Sequence, residues 1–247
     1  MSDERESCMI VAAGGQRGRC LAIAIALGSF MLVPPSNAVP DTWRASGNEP
    51  SWSLSRTGGQ MTLETDFGAQ RTGFTTPPAT RIDDRTVAYS TSVDGTPLRL
   101  TVKSEICVDT MTGMPRPERV SVAFGDREFD GCGGEPASLL QGNNWVVTEL
   151  AGRAVLAEPI ISVTFSDDGR LSGNASCNQF GADYRLTGEG LEISKGMSSM
   201  MACEDAVMQQ EQAFMELLRA ISRFSIPGEG TLVLHSNDGR TITMKKK

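Results

Sequence analysis

The run Ile160-Ile161-Ser162-Val163-Thr164-Phe165-Ser166-Asp167-Asp168-Gly169-Arg170-Leu171-Ser172-Gly173 alternates apolar and polar side chains on either side of an Asp-Asp-Gly turn. Alternation with period two puts one face of each arm inward, and the Asp-Gly step supplies the left-handed backbone that a tight hairpin needs. The same grammar extends in both directions. Upstream lies Trp145-Val146-Val147-Thr148-Glu149-Leu150; downstream, Ala182 to Leu186 and Leu191 to Ile193 flank the Gly188-Glu189-Gly190 turn. The period then changes. Residues 204–222 read as a helix with Val207, Phe214, Leu217, Leu218 and Ile221 on one face. Gln209, Gln210, Glu211, Glu216 and Arg219 form the polar face, and Glu204 and Asp205 favour the dipole of the first turn. Thr231 to His235 and Arg240 to Met244, joined by Asn237-Asp238-Gly239, finish the chain as two strands. The order β-β-β-β-β-α-β-β predicts an antiparallel α+β unit with one helix packed on a curved sheet.

Residues 39–140 lack any helical period. Ser51 to Leu54, Met61 to Thr65, Val87 to Tyr89, Leu98 to Val102 and Val120 to Phe124 alternate between turns at Gly58-Gly59, Asp94-Gly95 and Gly125-Asp126. This half reads as an all-β meander, a small barrel or sandwich. The fold class is therefore mainly β plus α+β, with an all-β unit at 39–140 and an antiparallel sheet with one helix at 141–247.

Residues 20–33 are an uncharged apolar run of 14, shorter than the roughly 20 residues of a membrane-spanning helix. Arg17 and Arg19 precede it, and Pro34-Pro35 and Ser36-Asn37-Ala38 follow. This is the layout of a secretory signal peptide cut after Ala38; an uncleaved N-terminal anchor is the competing reading. The expected location is periplasmic or secreted, with no transmembrane span after cleavage. Of six cysteines the cut removes Cys8 and Cys20 and leaves Cys107, Cys132, Cys177 and Cys203. Four cysteines allow three pairings, and in an oxidising compartment they read as structural disulfides. Sequential pairing, Cys107 with Cys132 and Cys177 with Cys203, places one bridge in each half. The formal charge of −7 argues against nucleic acid and anionic membranes as partners. The leader carries three acids and three bases, so this charge belongs to the mature chain.

Gly173-Asn174-Ala175-Ser176-Cys177-Asn178-Gln179-Phe180 with Tyr184, Met200-Met201-Ala202-Cys203, and Glu211-Gln212-Ala213-Phe214 with Leu217-Leu218 together resemble the META domain, or HslJ-like, family over about 141–245. Ser198-Ser199 stands where that family usually has Thr, and Ser176 where Ala or Gly commonly precedes the cysteine. Gly47-Asn48-Glu49-Pro50-Ser51-Trp52, the segment 107–115 and Gly131-Cys132-Gly133-Gly134 resemble an uncharacterised bacterial envelope or lipoprotein-like family. The resemblance implies an exported envelope protein linked to stress or antibiotic tolerance, and it carries over no catalytic residues and no cofactor.

The residues themselves agree with a non-enzymatic reading. The single histidine, His235, alternates with Val233 on a strand and no serine stands out as its partner; Ser176 is not in a G-x-S-x-G elbow. Asp83-Asp84 and Asp167-Asp168 occupy turns, where Asp bonds locally. The expected function is a binding or stress-protective module whose partner is an envelope protein or small-molecule ligand. An alternative is a secreted inhibitor of a hydrolase such as lysozyme, since an acidic surface suits a basic target. Its interaction loop would be Asp109, Met111, Met114, Pro115 and Arg116. A further alternative is periplasmic Cu(I) binding, because soft thioethers favour that ion: Met197, Met200, Met201 and Met208 flank Cys203, and Met111 and Met114 lie near Cys107. Against it stands the ordinary use of Met as a core gap-filler.

Overall fold

Nine strands of the N-terminal half form one antiparallel sheet. They are β1 (Trp43–Asn48), β2 (Ser51–Thr57), β3 (Gln60–Thr65), β4 (Gln70–Thr75), β5 (Thr80–Arg81), β6 (Thr86–Val93), β7 (Thr96–Val108), β8 (Pro115–Phe124) and β9 (Arg127–Gly133). The structure is a computed structural model and describes residues 38–188 and 190–247. The predicted leader, Cys8 and Cys20 included, therefore lies outside the described residues except for Ala38, and so does Glu189. The strand order β4-β3-β2-β1-β9-β8-β7-β6-β5 makes two meanders, stitched together where β1 meets β9. Trp43, Trp52, Leu54, Met61, Leu63, Tyr89, Leu100, Val120, Val122 and Phe129 are buried in its core. The alternation read from the sequence is what places them there. β4 carries a single buried apolar residue, Phe74, so its sequence shows no period; it is an edge strand.

The C-terminal half contains β10 (Asn144–Leu150), β11 (Arg153–Ala154), β12 (Ser162–Phe165), β13 (Arg170–Asn174), β14 (Gln179–Leu186), β15 (Leu191–Ile193), β16 (Met197–Ser198), α1 (Asp205–Arg219), β17 (Ile221–Gly228), β18 (Thr231–Ser236) and β19 (Thr241–Lys246). The path β15-β14-β13-β12-β10-β19-β18-β17 curls until its ends approach: a Cβ on Gly190, just before β15, would lie 2.2 Å from the Ser222 carbonyl oxygen on β17. Glycine is thus required where this barrel-like sheet nearly closes. Phe214, Leu217 and Leu218 of α1 are buried among Trp145, Phe165 and Tyr184. The Phe180 and Phe214 rings meet edge-on at 5.4 Å, as do Phe165 and Tyr184 at 5.1 Å. Burying three such helix side chains is worth roughly 5–9 kcal/mol, which outweighs any propensity difference along α1.

Two expectations are corrected here. The helix ends at Arg219, and Ile221–Gly228 is a strand, so three strands follow α1. A bulge between Ile221 and Arg223 lets both Ile221 and Phe224 face the core, and their three-residue spacing imitates a helix. Glu211, assigned by periodicity to the polar face, is only 8% exposed. Its carboxylate reaches the turn containing Cys177, described below. The described residues pack as one unit with two apolar clusters, one per sheet. No helix among them is long and apolar enough to cross a membrane.

Candidate functional site

The three sequence motifs of the N-terminal half converge on one place. Cys107 at the end of β7 is bonded to Cys132 on β9, Cα to Cα 5.4 Å. The β1–β2 corner comes against them because two glycines allow it. A Cβ on Gly131 would lie 2.1 Å from the Ser46 carbonyl oxygen, and one on Gly47 would lie 2.2 Å from that of Asp130. Trp52 Nε1 donates to the Asp130 carbonyl at 3.0 Å. Asn48 Nδ2 donates to Asp109 Oδ2 at 3.4 Å and to Thr110 Oγ1 at 3.1 Å. Between these elements lies a groove of about 460 Å³, lined by Gly47, Asn48, Cys107, Asp109, Met111 and Asp130 among others.

Above the groove the β7–β8 connection is an ordered turn. Asp109 Oδ1 accepts from the Met111 amide at 3.0 Å, the Thr112 amide at 2.7 Å and Thr112 Oγ1 at 2.9 Å. Gly113 N–H closes onto the Asp109 carbonyl at 2.9 Å, with Gly113 at φ +74°, a conformation glycine adopts without strain. Burial alone would raise the Asp109 carboxyl, but donors from Thr112, Met111 and Asn48 outweigh it and hold it below the usual carboxylate range. The turn therefore presents an anion that organises its own backbone, with Met111 77% and Val108 56% exposed.

The sequence-predicted interaction residues divide. Asp109 and Met111 belong to this exposed turn. Met114, 5% exposed, and Pro115 do not: they are buried, and Met114 joins the apolar cluster of the C-terminal sheet. Two consecutive residues at the entry to β8 are buried, so the exposed part of the loop is shorter than its composition implied. Arg116 is half-buried, donating through Nη1 to the Gly134 carbonyl at 2.8 Å, while its Nε is buried without a partner.

In the C-terminal half, Cys177 is bonded to Cys203. Ser176 sits at φ +124° and is 1% exposed, which removes it as a nucleophile. Glu211 Oε2 accepts from the Cys177 amide at 3.0 Å and the Asn178 amide at 2.7 Å, and Oε1 accepts from Asn178 Nδ2 at 2.9 Å. Asn178 Oδ1 accepts from the Met201 amide and from Ser199 Oγ, both at 2.7 Å. One buried carboxylate thus ties helix, turn and bridge into a single knot, a structural role that periodicity missed. The E-x-x-F spacing of Glu211 and Phe214 was its only trace in the sequence. Of the methionines flanking Cys203, Met197 is 83%, Met200 99% and Met201 55% exposed and fill no core gap, whereas Met208 on α1 is half-buried.

His235 does have a serine partner. Ser225 Oγ lies 2.7 Å from His235 Nε2 across the β17–β18 pair, and Ser225 was hidden because β17 itself was not read. Burial, then the charge of Arg223, holds the imidazole below its usual value. Asp83 and Asp168 each accept from a backbone amide two residues on, those of Arg85 and Arg170, as turn residues do. Among the described residues no cluster of three or more His, Cys, Asp or Glu side chains is placed to hold a metal.

No curated protein matches the chain. A solved structure described as the NMR structure of the protein from Burkholderia xenovorans is 27% identical, covering 45% of this chain and 86% of that one with a TM-score of 0.40. A second, described as the NMR structure of the protein, is 20% identical over 44% of this chain and 92% of that one, with a TM-score of 0.38. The META domain model matches residues 138–247, the span that holds the Cys177–Asn178–Glu211 knot.

Proposed function

We propose that the chain is an exported, non-catalytic binding module of the bacterial cell envelope that engages a protein partner through the exposed end of the β7–β8 hairpin. The observation that carries this reading is the Asp109 turn. An apolar side chain, Met111, is held out in solvent by a backbone already fixed through hydrogen bonds and the adjacent Cys107–Cys132 bridge. Pre-organised apolar tips bind well because little conformational entropy remains to be lost. Leader-like residues 1–38 and two disulfides support export, and the acidic chain suits a basic partner, a hydrolase such as lysozyme among them. The test places a photo-crosslinking residue at position 112 and exposes envelope extract to it, with and without Met111→Asp. A crosslinked protein that disappears in M111D supports the reading, and capture unchanged by M111D refutes it. Micromolar protein that leaves lysozyme turnover unchanged ends the inhibitor version alone.

The exposure of Met197, Met200 and Met201 favours a second reading, Cu(I) binding by thioethers on the loop beside Cys203. Anaerobic titration with a Cu(I) chelator competitor tests it against a Met200→Leu/Met201→Leu variant. Binding no tighter than millimolar in the natural chain removes this reading.

A further inference from the structure

Methionine is sharply divided in this chain. Met61, Met114, Met215 and Met244 are buried in the two apolar clusters, where an unbranched thioether fills gaps between stiffer side chains. Met197, Met200 and Met201 instead stand in solvent, close together in the stretch 197–201. The backbone that carries them is nonetheless fixed. Met197 on β16 pairs with Gly181 on β14, and the Ser199 amide donates to the Gln179 carbonyl at 3.0 Å. The strands approach closely: a Cβ on Gly196 would lie 2.7 Å from the Gly181 carbonyl oxygen. Met201 N–H donates to Asn178 Oδ1 at 2.7 Å, and the Met201 carbonyl accepts from Asn178 Nδ2 at 3.3 Å. Asn178 is held in turn by the buried Glu211 carboxylate at 2.9 Å, and the Cys177–Cys203 bridge closes the segment. All these contacts of Met197 and Met201 run through backbone atoms, and the thioethers are left to solvent.

We infer that Met197, Met200 and Met201 are a modification site that takes oxygen from two-electron oxidants of the hypochlorous acid class, reversibly and with the fold unchanged. In each step one thioether and one hypochlorous acid become one sulfoxide, one chloride and one proton. The sulfur is oxidised by two electrons and the chlorine reduced by two, an S–O bond forming as the O–Cl bond is lost. A sulfoxide is polar, so it is tolerated where the side chain already meets water and disruptive where a thioether fills a core. Exposure therefore sorts the methionines: oxidant is consumed on a pinned surface segment before it reaches Met61, Met114, Met215 and Met244. Methionine sulfoxide reductases, one class for each epimer at sulfur, restore the thioether, and these three side chains are open to them. The inference needs no bound metal and stands if the loop fails to hold Cu(I).

The test treats the disulfide-intact full chain with increasing hypochlorous acid and reads oxygen uptake at each methionine by peptide mass spectrometry, beside thermal melts. Met197, Met200 and Met201 are expected to gain oxygen, with the exposed Met111, ahead of the half-buried Met208. The four buried methionines should stay unmodified over that dose, with Tm within about 2 °C of the untreated protein. Incubation with both reductase classes should return the three sites to their original mass. In Met197→Leu/Met200→Leu/Met201→Leu, buried methionines should be reached at a lower dose than in the natural chain. Uptake spread evenly over exposed and buried methionines overturns the proposal. So does a fall in Tm while only exposed sites carry oxygen, a sulfoxide that both reductases leave in place, or a variant whose buried methionines are oxidised at the natural chain's dose.

Discussion

Removing the Glu211 carboxylate should destabilise the C-terminal half more than any other single polar change on α1. In Glu211→Ala the amides of Cys177 and Asn178, both buried, lose their acceptor, and Asn178 Nδ2 loses one of its two. Each buried donor left without a partner costs about 1–3 kcal/mol, and bonds to a charged acceptor lie at the upper end. The disulfide holds the turn in place, so the amides have little freedom to find water. The expected loss is about 3–5 kcal/mol, a third or more of a typical total stability. That corresponds to a Tm drop of roughly 6–20 °C. Glu211→Gln is the informative companion. Its amide oxygen can serve the two backbone amides, but its NH2 then opposes Asn178 Nδ2, donor against donor, so about half the loss is expected. Thermal melts followed by near-ultraviolet circular dichroism report on this region, because Phe180 and Phe214 pack beside the knot. If Glu211→Ala melts within about 2 °C of the natural protein, the carboxylate is not what holds the turn and the argument fails.

Other expectations are as direct. Replacing Cys107 and Cys132 together by Ala opens a loop with a sequence separation of 25 and should cost about 3.5 kcal/mol in urea unfolding by chain entropy; an unchanged urea midpoint contradicts it. Gly131→Ala drives a Cβ to 2.1 Å from the Ser46 carbonyl, so β1 and β9 must part, at about 1–3 kcal/mol or more, seen as a lower urea midpoint and faster amide exchange in β1. His235, with its folded value depressed below 6.5, contributes stability that is present above pH 6.5 and lost as pH falls through the folded value. NMR titration of its ring should show the low value, and His235→Gln should flatten the acid limb of stability over that window. Met111→Asp should leave Tm within about 2 °C of the natural chain, because its side chain is 77% exposed.

Much of this protein is settled locally. Period-two alternation placed Trp52, Leu54, Met61 and Leu63 on one buried face, because a strand's side chains alternate whatever it pairs with. Asp-Gly turns set the hairpins, Asp94 and Gly95 both taking positive φ. Cysteine order within each half was enough to anticipate two bridges. Where local pattern misled, the cause was tertiary. A bulge in β17 disguised a strand as the end of a helix. A carboxylate with polar neighbours on α1 was drawn inward because three buried N–H donors needed an acceptor. Met114, adjacent in sequence to an exposed turn, went into the core of the other sheet. The candidate sites are tertiary products in the same sense. Gly47, Asp109 and Cys132 are far apart in the chain, and only the β1–β9 pairing brings them to one groove. The amino-acid sequence determined which faces would be buried, since burial follows from side-chain period. Which polar groups would meet depended on strand order, and no local period encodes that.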